Sequence, residues 1–158
     1  MFVGRRNFIA LALLLLTIPL TKDTATNSWE IIKSILEHIF PKYKNFIGAK
    51  EFQLTQFLHV VSSDKYFKKE DLKVLVDGSK KIYILKNEFT SLDSNQKEKI
   101  LREFEQQEFG QKWLSMVMNY GIEGMFSDPI YGGNKSELGW KSIGHNSGLP
   151  RPKVKYGV

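Results

Sequence analysis

Apolar residues recur every three or four positions along most of the chain after residue 27, which is the spacing of one face of an α-helix. Four stretches show this pattern: "WEIIKSILEHIF" from residue 29, "EFQLTQFLHVV" from 51, "EKILREFE" from 98 and "WLSMVMNYGIEGMF" from 113. The pattern predicts an all-α fold, a small multi-helix domain that ends in an irregular segment rich in glycine and aromatic residues.

The predicted helices have recognisable ends. Ser28 is predicted to cap the first helix, and Asp93 or Ser94 the helix that contains "EKILREFE", since these side chains accept hydrogen bonds from the first amides of a helix. Pro41 and Pro129 are predicted to follow helix ends because proline cannot continue a helix. The predicted apolar face of the last helix comprises Trp113, Leu114, Val117, Met118, Ile122 and Phe126.

One stretch, "LKVLVDGSKKIYIL" from residue 72, fits two structures. Asp77-Gly78 between two β-rich runs is a strong local signal for a hairpin turn. The same residues also place Leu72, Leu75 and Ile82 on one helical face, at a cost of about 1 kcal/mol for the glycine. Local chemistry slightly favours the hairpin.

The N-terminus has the organisation of an export signal. Arg5 and Arg6 precede an apolar run at residues 8–20 that is broken by Pro19. This run is shorter than the roughly 20 apolar residues that span a bilayer, and it fits the apolar region of a signal peptide. We therefore assign residues 1–26 to a signal peptide or N-terminal membrane anchor, and residues 27–158 to a single domain.

Two export routes fit this segment. Arg5, Arg6 and Phe8 match the twin-arginine pattern, although the expected Ser or Thr before the pair and the Lys after it are missing. Lys22, just past the apolar run, disfavours the general secretory route. The strongly apolar "LALLLL" instead favours that route, so the residues alone leave both open.

Composition and charge exclude some classes of function but do not identify a single one. Hydrophobic residues make up 42% and charged residues 25% of the 158 residues, as in globular domains, and the net charge is +6. A basic chain suits nucleic acid, anionic lipid or an acidic protein. The absence of cysteine excludes disulfides and thiolate chemistry, and His38, His59 and His145 have no metal-ligand spacing, so structural roles are expected for them.

The segment "SDPIYGGNKSELGWKSIGHNSG" from residue 127 has the chemistry of a shaped loop. The sequence Gly132-Gly133-Asn134 favours a turn, while Tyr131 and Trp140 offer large, stiff faces that can anchor the loop. We predict a loop folded back on the helices. Its glycines lack the spacing of phosphate-binding motifs, and its polar residues Asp128, Glu137 and His145, with Glu123 before it, have no catalytic spacing.

The stretch that begins at Glu123 closely resembles the end of the gluconate 2-dehydrogenase subunit 3 family. The family pattern E-G-x-F-x-D-P-x-Y-G-G-N-x-x-x-x-G-W-x-x-I-G falls here on Glu123, Gly124, Phe126, Asp128, Pro129, Tyr131, Gly132, Gly133, Asn134, Gly139, Trp140, Ile143 and Gly144. "FPKYKNFIGAKEF" from residue 40 and "FTSLDSNQKEKILREFE" from residue 89 resemble two earlier family segments. Two positions depart from the pattern: Ile47 replaces a proline and His145 an aromatic residue.

The resemblance implies a non-catalytic subunit without a cofactor of its own. Its expected partner is a large FAD-dependent dehydrogenase subunit of the glucose-methanol-choline type, often with a multihaem cytochrome c. The small subunit carries the twin-arginine signal, here Arg5, Arg6 and Phe8, to the periplasmic side of the inner membrane. It also helps to mature or stabilise the flavoprotein, and a helix is implied around Asp77-Gly78.

Under this hypothesis the C-terminal loop docks on the partner. The predicted partner-binding residues are Asp128, Pro129, Tyr131, Gly132, Gly133, Asn134, Gly139 and Trp140, with Tyr131 and Trp140 as anchors. No catalytic residue, metal ligand or nucleic-acid partner is expected.

The alternative hypothesis is a membrane-anchored basic module that binds anionic lipid, acidic protein or nucleic acid. An enzyme in its own right is the weakest option because no polar constellation supports one.

Overall fold

The computed structural model describes residues 22–44 and 46–155, and within these ranges the chain forms helices and no strands. The all-α prediction is therefore confirmed for this part of the chain. The helices are α1 (Lys22–Ile39), α2 (Ala49–Phe52), α3 (Leu54–Ser62), α4 (Lys69–Leu85), α5 (Ser94–Glu105), α6 (Glu108–Phe126) and α7 (Leu138–Ser142). Three short 3₁₀ helices join them, η1 (Phe89–Ser91), η2 (Pro129–Tyr131) and η3 (Lys135–Glu137).

Helix α1 is the centre of the bundle and contacts α2, α3, α4, α6 and η1. Its face of isoleucine and leucine is fully covered, and burying each such side chain contributes about 1.5–3 kcal/mol. α3, α4, α5 and α6 each add an apolar stripe to the same core. The largest contributions are Ile31, Ile32, Ile35 and Leu36 from α1, Leu54 and Leu58 from α3, Leu75 and Ile82 from α4, Leu101 and Phe104 from α5, and Trp113, Leu114 and Val117 from α6.

The ambiguous stretch around Asp77-Gly78 lies inside α4, so the hairpin favoured by local chemistry is wrong and the helix implied by the family resemblance is correct. A tertiary contact explains why this stretch is helical. The indole of Trp113 has no exposed surface and donates its Nε1 hydrogen bond to the Leu75 carbonyl at 3.0 Å. A Cβ at Gly78 would lie 2.0 Å from that nitrogen. Burial of the indole offsets the roughly 1 kcal/mol that a helical glycine costs.

Several predicted boundaries need correction. Ser28 does not cap α1, because the helix begins at Lys22 and Ser28 is buried within it. The second predicted helix is two helices, α2 and α3, separated by Gln53 in the left-handed conformation at φ 55°. Met118 and Ile122 are 42% and 44% exposed, so they lie outside the core that their spacing predicted.

Other predicted ends are confirmed. Asp93 caps α5: its carboxylate accepts a hydrogen bond from the Gln96 amide at 2.9 Å, and the Gln96 side chain accepts one from the Asp93 amide. Helix α1 ends two residues before Pro41. None of the helices within residues 22–44 and 46–155 combines the length and apolarity that a bilayer crossing requires.

We predict that Gly78→Ala destabilises the domain although alanine is the better helix former. The new methyl group must displace the Trp113 indole, and overpacking of this kind costs about 1–3 kcal/mol. Denaturant unfolding would measure the change. Asp77→Ala, one residue away in the same helix, is the control and should change stability by about 0.5 kcal/mol or less. If Trp113→Phe makes room for the methyl group, the Gly78→Ala penalty should shrink in that background; an unchanged penalty would contradict the steric account.

Candidate functional site

Residues 127–151 fold back over the last turn of α6 and form the candidate functional site, which we name the C-terminal clasp. The clasp contains η2, η3, α7 and the chain up to Arg151. The surface that this segment covers belongs to its own chain, at the end of α6. The hydrogen bonds that attach the clasp to α6 explain most of its glycine, asparagine and tryptophan residues.

The clasp supplies hydrogen-bond donors to the end of α6, where the last carbonyl groups have no partner within the helix. The Asn134 amide donates to the Gly124 carbonyl at 2.6 Å, and the Trp140 Nε1 donates to the Phe126 carbonyl at 2.8 Å. The Asn134 side-chain Nδ2 donates to the Ser127 carbonyl at 3.0 Å. The end of α6 is thus capped by residues 7 to 14 positions further along the chain.

Asn134 is the most constrained residue of the clasp. It is 1% exposed and lies in the left-handed region at φ 43°, which asparagine tolerates better than most residues. Its Oδ1 accepts a hydrogen bond from the Gly139 amide at 2.8 Å while its Nδ2 donates to Ser127. One side chain therefore joins α6, the turn and the start of α7.

Gly133 and Gly139 allow the two backbones to touch. A Cβ at Gly139 would lie 1.9 Å from the Met125 carbonyl oxygen, and one at Gly133 would lie 2.7 Å from the Gly124 carbonyl oxygen. The sequence predicted such a close approach at Gly139, and the structure places it against α6. Gly132 is glycine for a different reason, since its φ is 96° in the turn after η2.

A polar contact closes the clasp at its far end. Asp128 caps η2 by accepting a hydrogen bond from the Ile130 amide, with Pro129 at the first helical position. The Arg151 guanidinium contacts the Asp128 carboxylate at 3.0 Å and the Glu137 carboxylate at 2.5 Å. The hydrogen bonds that the guanidinium donates, first the one to Glu137 and then the one to Asp128, raise the pKa of Arg151. The same guanidinium lies 5.0 Å from the centre of the Trp140 ring, a cation–π contact that holds the tail against the indole.

The predicted anchors differ in their surroundings. Trp140 is 9% exposed, and its indole packs within its own chain, with His145 edge-on at 5.6 Å between ring centres. Tyr131 is half-buried. Together with Asp128, Asn134 and Gly139, Trp140 shapes the clasp from inside. Contact between these residues and a partner stays a prediction.

The outer surface of the clasp is apolar at positions that sequence reasoning did not select as contacts. Leu138, Ile143 and Leu149 are 41%, 58% and 88% exposed. Leu138 is the first residue of α7 and Ile143 follows its last residue, while Gly139 and Trp140 within the helix are buried. In the sequence, the position of Leu138 immediately before Gly139-Trp140 was the one indication that it lies near the surface of the clasp. A helix of five residues is too short for its apolar periodicity to show which side is buried.

The three histidines lie apart and have local partners. His38 contacts Glu98 at 2.8 Å and Ser94 at 3.4 Å, and the hydrogen bond from His38, followed by that from Arg102, lowers the pKa of Glu98. The His59 ring lies 4.8 Å from the Trp29 ring between centres, and the two planes are tilted by 42°. Across the described ranges, no three His, Asp or Glu side chains are grouped closely enough to hold a metal ion.

The polar residues considered for catalysis do not share a site with the histidines on α1 and α3. Asp128 and Glu137 are both paired with Arg151. Partial desolvation raises the pKa of Glu123, which lies on α6 and stays exposed. The predicted export residues Arg5, Arg6 and Phe8 lie outside the residues that the structure describes.

Comparison with known families gives one match. A family model described as gluconate 2-dehydrogenase subunit 3 matches residues 26–148, which includes the bundle except the first four residues of α1, and the clasp except its last three residues. In the same comparisons, no curated protein and no solved structure matched the chain.

We predict that Asn134→Ala destabilises the domain by about 2–3 kcal/mol, because buried groups of Ser127 and Gly139 lose their partners and alanine must adopt a positive φ. Thermal or denaturant unfolding would measure this loss. The control is Asn119→Ala on the exposed side of α6, which should change stability by about 0.5 kcal/mol or less. Equal stabilities for the two variants would show that the Asn134 hydrogen bonds do not hold the clasp.

Proposed function

Because the chain belongs to the gluconate 2-dehydrogenase subunit 3 family, we propose that it is the non-catalytic small subunit of a membrane-associated sugar or alcohol dehydrogenase complex. The family match over residues 26–148 is the observation that carries the proposal. The proposed large subunit is a flavoprotein of the glucose-methanol-choline type that holds FAD and the active site. A multihaem cytochrome c is the proposed electron acceptor.

The clasp supports this role as a rigid surface for docking. Its backbone is fixed to α6 by the Asn134 and Trp140 hydrogen bonds, and its tail is fixed by Arg151. Leu138 and Ile143 are therefore presented in a defined geometry, and a surface ordered before binding loses less entropy when the partner arrives. In this proposal the buried clasp residues position the surface and the exposed apolar residues contact the flavoprotein.

The second part of the proposal concerns export. The twin-arginine route carries folded cargo, so a signal formed by Arg5, Arg6 and Phe8 could take an FAD-loaded partner across the inner membrane with this chain. The proposed location of the complex is the periplasmic side of that membrane. Stabilising or maturing the flavoprotein before export is the accompanying proposed role.

Co-expression with an FAD-dependent large subunit from a neighbouring reading frame tests the docking role. We expect the wild-type chain to copurify with that subunit. The Leu138→Ser and Ile143→Ser double variant should weaken copurification about tenfold or more without lowering the unfolding midpoint, since apolar anchors carry most interface energy. The control is the Val60→Ser and Tyr66→Ser double variant, at residues that are 59% and 58% exposed on α3 and just after it. Failure of the wild-type chain to bind a flavoprotein would refute the proposed function.

Changing both Arg5 and Arg6 to Lys tests the export role. We expect both proteins to remain in the cytoplasm, because the twin-arginine translocase reads the arginine pair. Cell fractionation followed by immunoblotting gives the readout, and Lys22→Arg is the control that keeps the charge and the arginine pair. Continued export of this chain without the flavoprotein would indicate the general secretory route, and continued export of both would exclude the arginine pair as the signal.

A further inference from the structure

The end of α4 exposes three large apolar side chains in a row. Tyr83, Ile84 and Leu85 are 41%, 63% and 53% exposed, while Ile82 just before them is fully buried. We name these three residues the α4 tip. Helical periodicity requires some of these positions to face solvent, and polar residues usually occupy them. A run of exposed apolar residues marks a contact surface in a folded domain.

Cations surround the α4 tip. Lys80 and Lys81 precede it and Lys86 follows it. The Lys81 Nζ lies 4.7 Å from the centre of the Phe109 ring, so this lysine is held close to the surface. Lys86 is 3.8 Å from the carboxylate of Glu88 in an exposed pair that contributes little to stability. With three lysines and one glutamate, residues 80–88 carry a formal charge of +2.

A cleft lies beside the α4 tip, between the end of α4 and helix α5. Its volume is about 280 Å³, which is large enough for a side chain. Leu92 and Ile100, both half-buried, give it apolar walls. Its polar lining is Lys86, Lys99, Gln96 and Glu103, so two lysines face one glutamate and the cleft keeps a formal charge of +1. The domain thus offers an apolar projection beside a recess whose charged lining is two lysines and one glutamate.

The α4 tip is far from the clasp. Lys81 contacts Phe109 at the start of α6, whereas the clasp covers the end of the same helix at Phe126. At 1.5 Å per residue these two points on α6 are roughly 25 Å apart. The α4 tip is therefore a separate contact region that the clasp hypothesis does not explain.

We propose that the α4 tip and its cleft form a second contact surface for the dehydrogenase large subunit, an inference that rests on the proposed function. The partner surface that fits has an apolar pocket for Ile84 and Leu85. It also carries Asp or Glu side chains that reach Lys86 and Lys99. Charge complementarity favours an acidic rim, and the recess favours a protein over a lipid surface, because a protein side chain can fill a cleft between two helices.

The co-expressed complex described above tests this surface. The Ile84→Ser and Leu85→Ser double variant should bind the flavoprotein at least about tenfold more weakly than wild type, as expected for buried apolar anchors. The Val60→Ser and Tyr66→Ser variant should bind like wild type, and all variants should share the wild-type unfolding midpoint. Changing Lys86 and Lys99 to Glu should weaken binding most at low salt, since the attraction is screened as ionic strength rises.

A photoreactive phenylalanine analogue at position Ile84 identifies the occupant directly. In the co-expressed complex, we expect its crosslink on the large subunit, at apolar residues next to Asp or Glu. A crosslink to residues 1–20 of the same chain, to a second copy or to lipid would overturn the inference. If the Ile84→Ser and Leu85→Ser variant binds the flavoprotein as tightly as wild type, the inference about the α4 tip is also overturned, while the proposed function stands. Failure of the wild-type chain to bind any flavoprotein would refute both the proposed function and the inference about the α4 tip.

Discussion

The end of α6 needs hydrogen-bond donors that the helix itself does not provide, and the rest of the C-terminal structure follows from this need. The carbonyls of Gly124, Phe126 and Ser127 receive them from Asn134 and Trp140. An unpaired buried carbonyl costs about 1–3 kcal/mol, so these donors must approach the helix closely. Close approach in turn requires glycine at 133 and 139, where a side chain would meet the α6 backbone.

This constraint changes how the glycine- and aromatic-rich pattern is understood. A motif rich in glycine and aromatic residues on a subunit suggests that the motif itself forms the contact, with Trp140 inserted into a partner. In the structure the indole is inserted into its own domain, and Arg151 covers its face. Such residues decide the shape of a surface without forming its outermost layer. Loss of a partner after their substitution would therefore need a stability measurement before it could be read as a lost contact.

The sequence predicted the helices where periodicity and caps agree, as at Asp93 and along the α1 isoleucine face. The predictions were wrong where contacts between residues far apart in sequence determine the local structure. The hairpin signal at Asp77-Gly78 is chemically sound, but Trp113, 35 residues from Gly78, needs the space that this glycine leaves. Ser28 has the chemistry of a cap, yet the helix extends beyond it. Met118 shows that spacing predicts a face without showing whether another element covers it.

The exposed apolar residues have a different explanation from the buried ones. Core positions such as Ile32 and Val117 are accounted for by folding alone, whereas Ile84, Leu85 and Ile143 gain little stability in the isolated domain. Polar residues at these positions would keep the same bundle and improve its solubility. Their apolar character is therefore best understood as a property of an assembly. Two such surfaces at opposite ends of α6 would hold a partner along the length of the domain, and contact at both ends would fix its orientation as well as its position.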